Sequence, residues 1–569
     1  MDKKMKIKFN VLAIFSIIIF CFAITPRTLQ NDTYYTVKIG EHIIENGIDM
    51  IDPFSWHEDL PYTYPHWAYD VSMYGVYSLG KSTGIGGFTA IYISTVILCM
   101  ALGVLIYYAS TKLCKNEIVS FFITIGVMFL LQNFIAARAQ LVTYIIFVLQ
   151  LLFIEQFLET RKKRYAIGLV ILPIIIANVH LAVWPFYFIL FLPYVVEYLL
   201  IKIIDSNLIY KIRIAFDKHR VKKLSLKKVK PENEEKQKQK IEKITAQINT
   251  LQDGLTNTIH KRNEIRENPY RLSLKKESAA KWLILIMIIC AFTGLLTPLG
   301  DTPYTYLVKT MQGNTMNNIS EHLPLTLIDN KMMLTVFVLF LAILIFTDTK
   351  IKLRDFFMLA GLTLLTFMSR RQASMFVISC GFIFERLVSN LIERYDPEGT
   401  QKLMKEMTTF LGKLLTILII ILISFLLYRG KIKNPIVNEA AYPVQASDYI
   451  LNNLDLSTLR LYNEYNYGSY LLFRGIPVFI DSRADLYAPE FNGTKGDDGK
   501  YDGRDIFTDY INISGIATYY EDKFESYDIN YVMLKKGSKL RMFIARSDDY
   551  EEVYSDNNFY IYKRLNAEK

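Results

Sequence analysis

The sequence predicts a polytopic α-helical membrane protein of about 11 spans with a C-terminal extracytoplasmic α/β domain. Three observations predict this. Of 569 residues, 51% are hydrophobic and 21% are charged, with a mean hydropathy of +0.20. The apolar residues gather in blocks that fit a hydrocarbon core of roughly 30 Å, which needs about 20 helical residues. The basic loops between blocks fall on alternate turns of the chain, as the positive-inside bias requires. The net charge of +10 is thereby explained at the membrane, and no nucleic-acid partner is implied.

The first block, Phe9 to Thr25, follows Lys3, Lys4, Lys6 and Lys8. The "TPRTLQ" after it lacks the small residues of a cleavage site, so it reads as an uncleaved span with a cytoplasmic N-terminus. Further blocks lie near 87–109, 117–134, 140–157, 166–178, 182–204, 281–299, 332–347, 355–369, 372–389 and 409–428. Together they make a transmembrane domain over 1–428, with an extracytoplasmic loop at 26–86 and a cytoplasmic helical insert at 205–280. Lys228 marks the inner side and Asp481 the outer. In the insert, Ile241, Ile244, Ile248 and Leu251 recur at helical spacing, which suits a short hairpin or coiled coil, or a solvated charged spacer. The five cysteines fall in spans or inner loops, so none is left for an outer disulfide framework.

From 429 to 569 no span remains. "LRLYNEY", "SYLLF", "IPVFID", "INYVML" and "NFYIYKR" read as strands, with a helix near 444–454. Such a length suffices for one small domain with its own core.

The outer face collects the chemistry. "NDTYYTVKIGEHIIENG" places Asp32 directly after the first span, ahead of an amphipathic helix that Gly47 closes. Arg138 in "AARAQL", His180 in "ANVHLAVWP" and Arg370–Arg371 in "MSRRQA" stand where spans end. Glu321 lies in "ISEHLP". Five of seven histidines, His42, His57, His66, His180 and His322, share this side. Ionisable groups at such depth face a cavity or a partner.

These motifs, together with "IDPFSW", "PHWAYDV", "TPLG" and "YNYGSYLLFRGIPVFIDSRADLY", resemble the GT-C superfamily over nearly the whole chain except the insert. More closely, they are similar to a bacterial branch of these polytopic membrane glycosyltransferases. The resemblance implies transfer of a sugar from a polyprenyl-phosphate lipid to a cell-envelope glycan, lipid or protein acceptor on the outer face. It implies Asp32 as catalytic base, and Arg138, His180, Glu321, Arg370 and Arg371 as substrate-binding residues. His180 and Glu321 could instead complete a divalent metal site. Asp32 is equally placed to be a helix N-cap, and the arginines to be interfacial. Trp56 and Trp67 suit the headgroup belt. "FIDSRADLY" suits either a sugar-binding loop or a buried Asp481–Arg483 pair. A lipid flippase would use the same cationic cavity without a base, and an envelope-assembly scaffold would need neither.

Overall fold

The computed structural model describes residues 3–227, 230–267, 272–273, 277–313, 318–497 and 499–565. Lys228 lies outside the described residues. Helix fills each of the eleven expected apolar stretches, but among the described residues only seven helices are long and apolar enough to cross a membrane. They begin with α1 (Lys3–Ile24) and end with Phe410–Tyr428. Ala280–Leu295 and Lys331–Phe346 are apolar but shorter, and Lys163–Val179 and Leu353–Met368 have 17 and 16 residues. The shortfall has a local cause. Several helices stop early in 3₁₀ turns, at Leu181–Val183, Thr293–Leu295 and Arg370–Gln372, and the last of these turns holds polar residues at the cavity described below.

The bundle packs around α1, which lies against Gly87–Cys114 and Phe410–Tyr428. Gly103 makes one such approach possible: a Cβ there would stand 2.6 Å from the Cys21 sulfur. Buried charges at the other end of the helices are paired. Arg354 meets Glu155 at 2.9 Å and Glu197 at 3.5 Å, and Arg386 meets Asp355 at 2.5 Å. Pairing is what makes such burial tolerable. Glu155 stands roughly 22 Å along its helix from Gln140 at the cavity end.

After α1 the chain forms α2 (Asn31–Asn46) and, further on, α3 (Trp67–Ser82). They cross at Gly40, where a Cβ would lie 2.1 Å from the Asp70 carbonyl oxygen. Gly47 ends α2 with φ 82°, a conformation that side chains disfavour. In the insert, Leu208–Ser225 and Glu234–Glu267 fold back on one another. Tyr210 faces Thr258 at one end, and Gln237 reaches the Leu224 carbonyl at the other. Ile244 and Ile248 are buried in the seam, as a hairpin requires.

The C-terminal region holds a four-stranded sheet ordered Leu461–Tyr462, Tyr531–Lys535, Phe559–Arg564, Tyr550–Ser555. The first pair is parallel and the others antiparallel. The helix Val444–Asn453 matches expectation. Two expected strands do not form. "SYLLF" belongs to the helix Tyr465–Phe473, and "IPVFID" makes only an isolated bridge from Val478 to Ser55. Short apolar runs fit either periodicity, and here tertiary packing decides. The strand Tyr550–Ser555 alternates weakly in burial and was not expected.

This region is locked to the first outer loop. Trp56 donates from Nε1 to the Leu461 carbonyl at 3.0 Å and packs against Phe479, so it sits at this interface instead of in a headgroup belt. Arg483 meets Asp52 at 2.6 Å and Asp481 at 2.7 Å, all three buried. Tyr487 donates to Asp481 at 2.6 Å. The "FIDSRADLY" pair is therefore a buried strut between loop and domain.

Candidate functional site

A cavity of about 660 Å³ lies where the helix ends, α2 and the C-terminal region meet. Its polar part is built first from α2. The N-cap of α2 is Gln30, and Asp32 lies within the first turn without capping it. The N-cap expectation thus fails by two residues, although the helix N-terminus still favours the carboxylate. Asp32 Oδ2 is instead 2.7 Å from Arg138, which also donates from Nη1 to Glu321 at 2.9 Å. Arg138 projects from the irregular turn just before the helix Gln140–Thr160. Burial disfavours its charge, but Asp32 and then Glu321 outweigh that and hold the guanidinium firmly protonated. Burial also pushes the Glu321 carboxyl up, and Arg138 more than reverses it.

Arg371 closes the opposite wall. Its backbone N–H donates to the Glu321 carbonyl at 3.0 Å, and that of Arg370 to Leu323, also at 3.0 Å. This ladder joins the Glu321 loop to the 3₁₀ turn Arg370–Gln372. The Arg371 side chain donates to His180 Nε2 at 3.2 Å. A guanidinium only donates, so Nε2 is the acceptor and the ring proton belongs on Nδ1, 2.9 Å from Thr143 Oγ1. Thr143 in turn donates to Ala139. Burial, with His66 and Arg371 nearby, pushes the His180 pKa well down. Burial and Arg371 likewise take His66 to about 3 and His322 to about 4. The histidines are therefore neutral near pH 7, and Arg371 is a cation with no carboxylate at ion-pair distance among the described residues.

Five of the six expected residues, Asp32, Arg138, His180, Glu321 and Arg371, line this one cavity. Arg370 does not. Its Nε donates to the Pro324 carbonyl at 3.1 Å, which makes it a loop-holding residue. The alternative role of His180 and Glu321 as metal ligands does not suit the contacts these residues make. His180 Nε2 is engaged by Arg371, and Asp32 and Glu321 share a guanidinium whose charge opposes a divalent ion. Among the described residues no three His, Cys, Asp or Glu side chains converge as a cage.

Sequence reasoning placed His66 on the outer face but not in the site, and its ring lies 5.1 Å from that of His180; Asp485 it missed. Asp485 comes from the turn Ala484–Tyr487 and accepts from the Tyr306 hydroxyl. Burial raises its carboxyl above the usual range, while Tyr306 and Arg371 pull the other way. The signal was present in "SRADLY", where an unpaired acid follows the buried strut. The remaining lining is apolar, from Phe147, Phe186, Ile189, Leu365, Met368 and Met375.

No family model and no curated protein sequence matches the chain. Solved structures do. The fold is similar to that of the archaeal oligosaccharyltransferase AglB from Archaeoglobus fulgidus, solved with an inhibitory peptide and a dolichol-phosphate. The TM-score is 0.53 at 11% identity, over 96% of this chain and 70% of that one. The likeness is one of fold, and the class it defines is a multi-pass α-helical membrane protein, with seven helices among the described residues long and apolar enough to cross a membrane.

Proposed function

We propose that the chain is an integral-membrane glycosyltransferase that moves a sugar from a polyprenyl-phosphate-linked donor to a cell-envelope acceptor. In this reading all eleven helical stretches span or enter the membrane, the N-terminus is cytoplasmic, and the cavity opens on the outer face. The observation that carries it is the cavity's two-sided lining: an apolar flank beside an unneutralised arginine suits a lipid that ends in a phosphate. A dolichol-phosphate in AglB supports the same ligand class.

Each residue then has a task. Arg371 holds the phosphate, whose charge grows as it leaves, and His180 fixes the guanidinium from behind. Asp32 has one oxygen on Arg138 and the other without a partner among the described residues. That free oxygen accepts the proton of the acceptor hydroxyl, within about 3 Å of it. The acceptor oxygen bonds to the anomeric carbon, and the carbon–oxygen bond to phosphate breaks with its electron pair on the lipid phosphate. Arg138 and Glu321 position Asp32. The test is purified protein with a radiolabelled polyprenyl-phosphate sugar and an envelope extract. Label should pass to the extract with stoichiometric release of polyprenyl phosphate; movement of intact lipid across liposomes without transfer would mean a flippase.

A further inference from the structure

The part of the cavity lined by α2, the first loop and α3 has a chemistry of its own. Tyr35 of α2, Tyr62 of the first loop and Tyr69 of α3 line the cavity and are 8%, 5% and 5% exposed. None of their hydroxyls has a hydrogen-bond partner among the described residues, yet none is sealed from the cavity. Open to the cavity and unpaired with protein among the described residues, the three hydroxyls are available to polar groups of a ligand. Asp485 stands with them, bound through Oδ2 to Tyr306 and otherwise without a partner among the described residues.

The charges on this wall are already cancelled. Arg138 is shared by Asp32 and Glu321, and Arg483, whose guanidinium lies 4.8 Å from the Tyr62 ring centre, is held by Asp52 and Asp481. Nothing here attracts an anion. Aromatic faces with open hydroxyls and a carboxyl match a neutral ligand that presents several hydroxyl groups. Such a site discriminates steeply against ligands without those groups, because its own polar atoms would then stay unpaired.

We infer that Tyr35, Tyr62, Tyr69 and Asp485 form the acceptor subsite, and that the acceptor is a neutral carbohydrate. This rests on the transferase reading above and selects among glycan, lipid and protein acceptors. The C-terminal region thereby contributes directly to the site, through Asp485. The Asp485 oxygen not engaged by Tyr306 is placed to accept a hydrogen bond from a sugar hydroxyl.

The test uses full-length protein in detergent with polyprenyl phosphate bound first. Saturation-transfer NMR is then recorded with methyl glycosides of glucose, galactose, mannose and N-acetylglucosamine, beside an uncharged pentapeptide. At least one glycoside should receive saturation while the lipid stays bound. Tyr62→Phe and Asp485→Leu should each weaken it by about tenfold, as expected for a lost hydrogen bond. Lipid affinity should not change. Saturation of the peptide alone, of nothing, or of a glycoside that the tyrosine variants bind equally well overturns the inference. So does displacement of the glycoside by lipid, which would mean a donor site. Failure of the lipid itself to bind would instead sink the transferase reading.

Discussion

The Arg138 guanidinium lies 2.7 Å from the Asp32 carboxylate, joining the turn before one helix to the first turn of α2. Glu321 takes the same guanidinium at 2.9 Å. Removing the arginine leaves two carboxylates facing each other with nothing between them. Arg138→Met should therefore destabilise the protein by about 1 kcal/mol, the scale of a part-exposed ion pair. Adding Asp32→Asn and Glu321→Gln should restore much of the loss. Thermal unfolding of the three-residue variant in detergent checks this, and no recovery would mean that the pairing is incidental.

Arg371 should behave differently, because its partner is a neutral ring. Arg371→Lys keeps the charge but loses the planar fork that spans His180 and a phosphate. Binding of polyprenyl phosphate should stay within a few-fold of wild type, while the single-turnover rate falls much further. Equal losses in both quantities would mean uniform binding with no preference for the transition state.

Sidedness can be read with thiol labelling. Asp481 is fully buried and would not react, whereas Glu525 and Lys240 are exposed. The native cysteines are buried or half-buried, so their background is low. Glu525→Cys should label from outside intact cells, and Lys240→Cys only after permeabilisation. The reverse pattern would invert the topology.

His57 gives a pH signature. It is 4% exposed between the first loop and the C-terminal region, and its Nε2 donates to Phe479 at 2.9 Å. Burial lowers its pKa from 6.5 to about 4. The native state thus resists a proton that the unfolded chain accepts. Its contribution is complete above pH 6.5 and is lost as pH falls toward 4, by about 3 kcal/mol in total. His57→Gln keeps the donor but cannot titrate, so its melting temperature should drop less between pH 7 and 5. An unchanged pH dependence would remove His57 from the acid sensitivity.

The sequence made the bundle legible because apolar blocks of spanning length have few other uses in water. The cavity positions of Arg138, His180 and Arg371 were legible too, since an ionisable group at a span end needs a reason, whereas Asp32 and Glu321 were picked out by the motifs around them. Arg370 was not separable from Arg371, because the 3₁₀ turn alone sends one to Pro324 and the other to His180. "SYLLF" could not be assigned, as a serine followed by four apolar residues carries no usable period. The tyrosine wall was invisible for another reason. Tyr35, Tyr62 and Tyr69 lie among 38 tyrosines, and only tertiary packing shows which of them line the cavity.

The central claim is that Asp32 takes a proton during sugar transfer, and single-turnover kinetics on wild type and Asp32→Asn test it most directly. The account predicts a folded variant that binds donor lipid normally, yet transfers at least about 100-fold more slowly, the usual scale for a general base. Near-normal transfer by Asp32→Asn would contradict it.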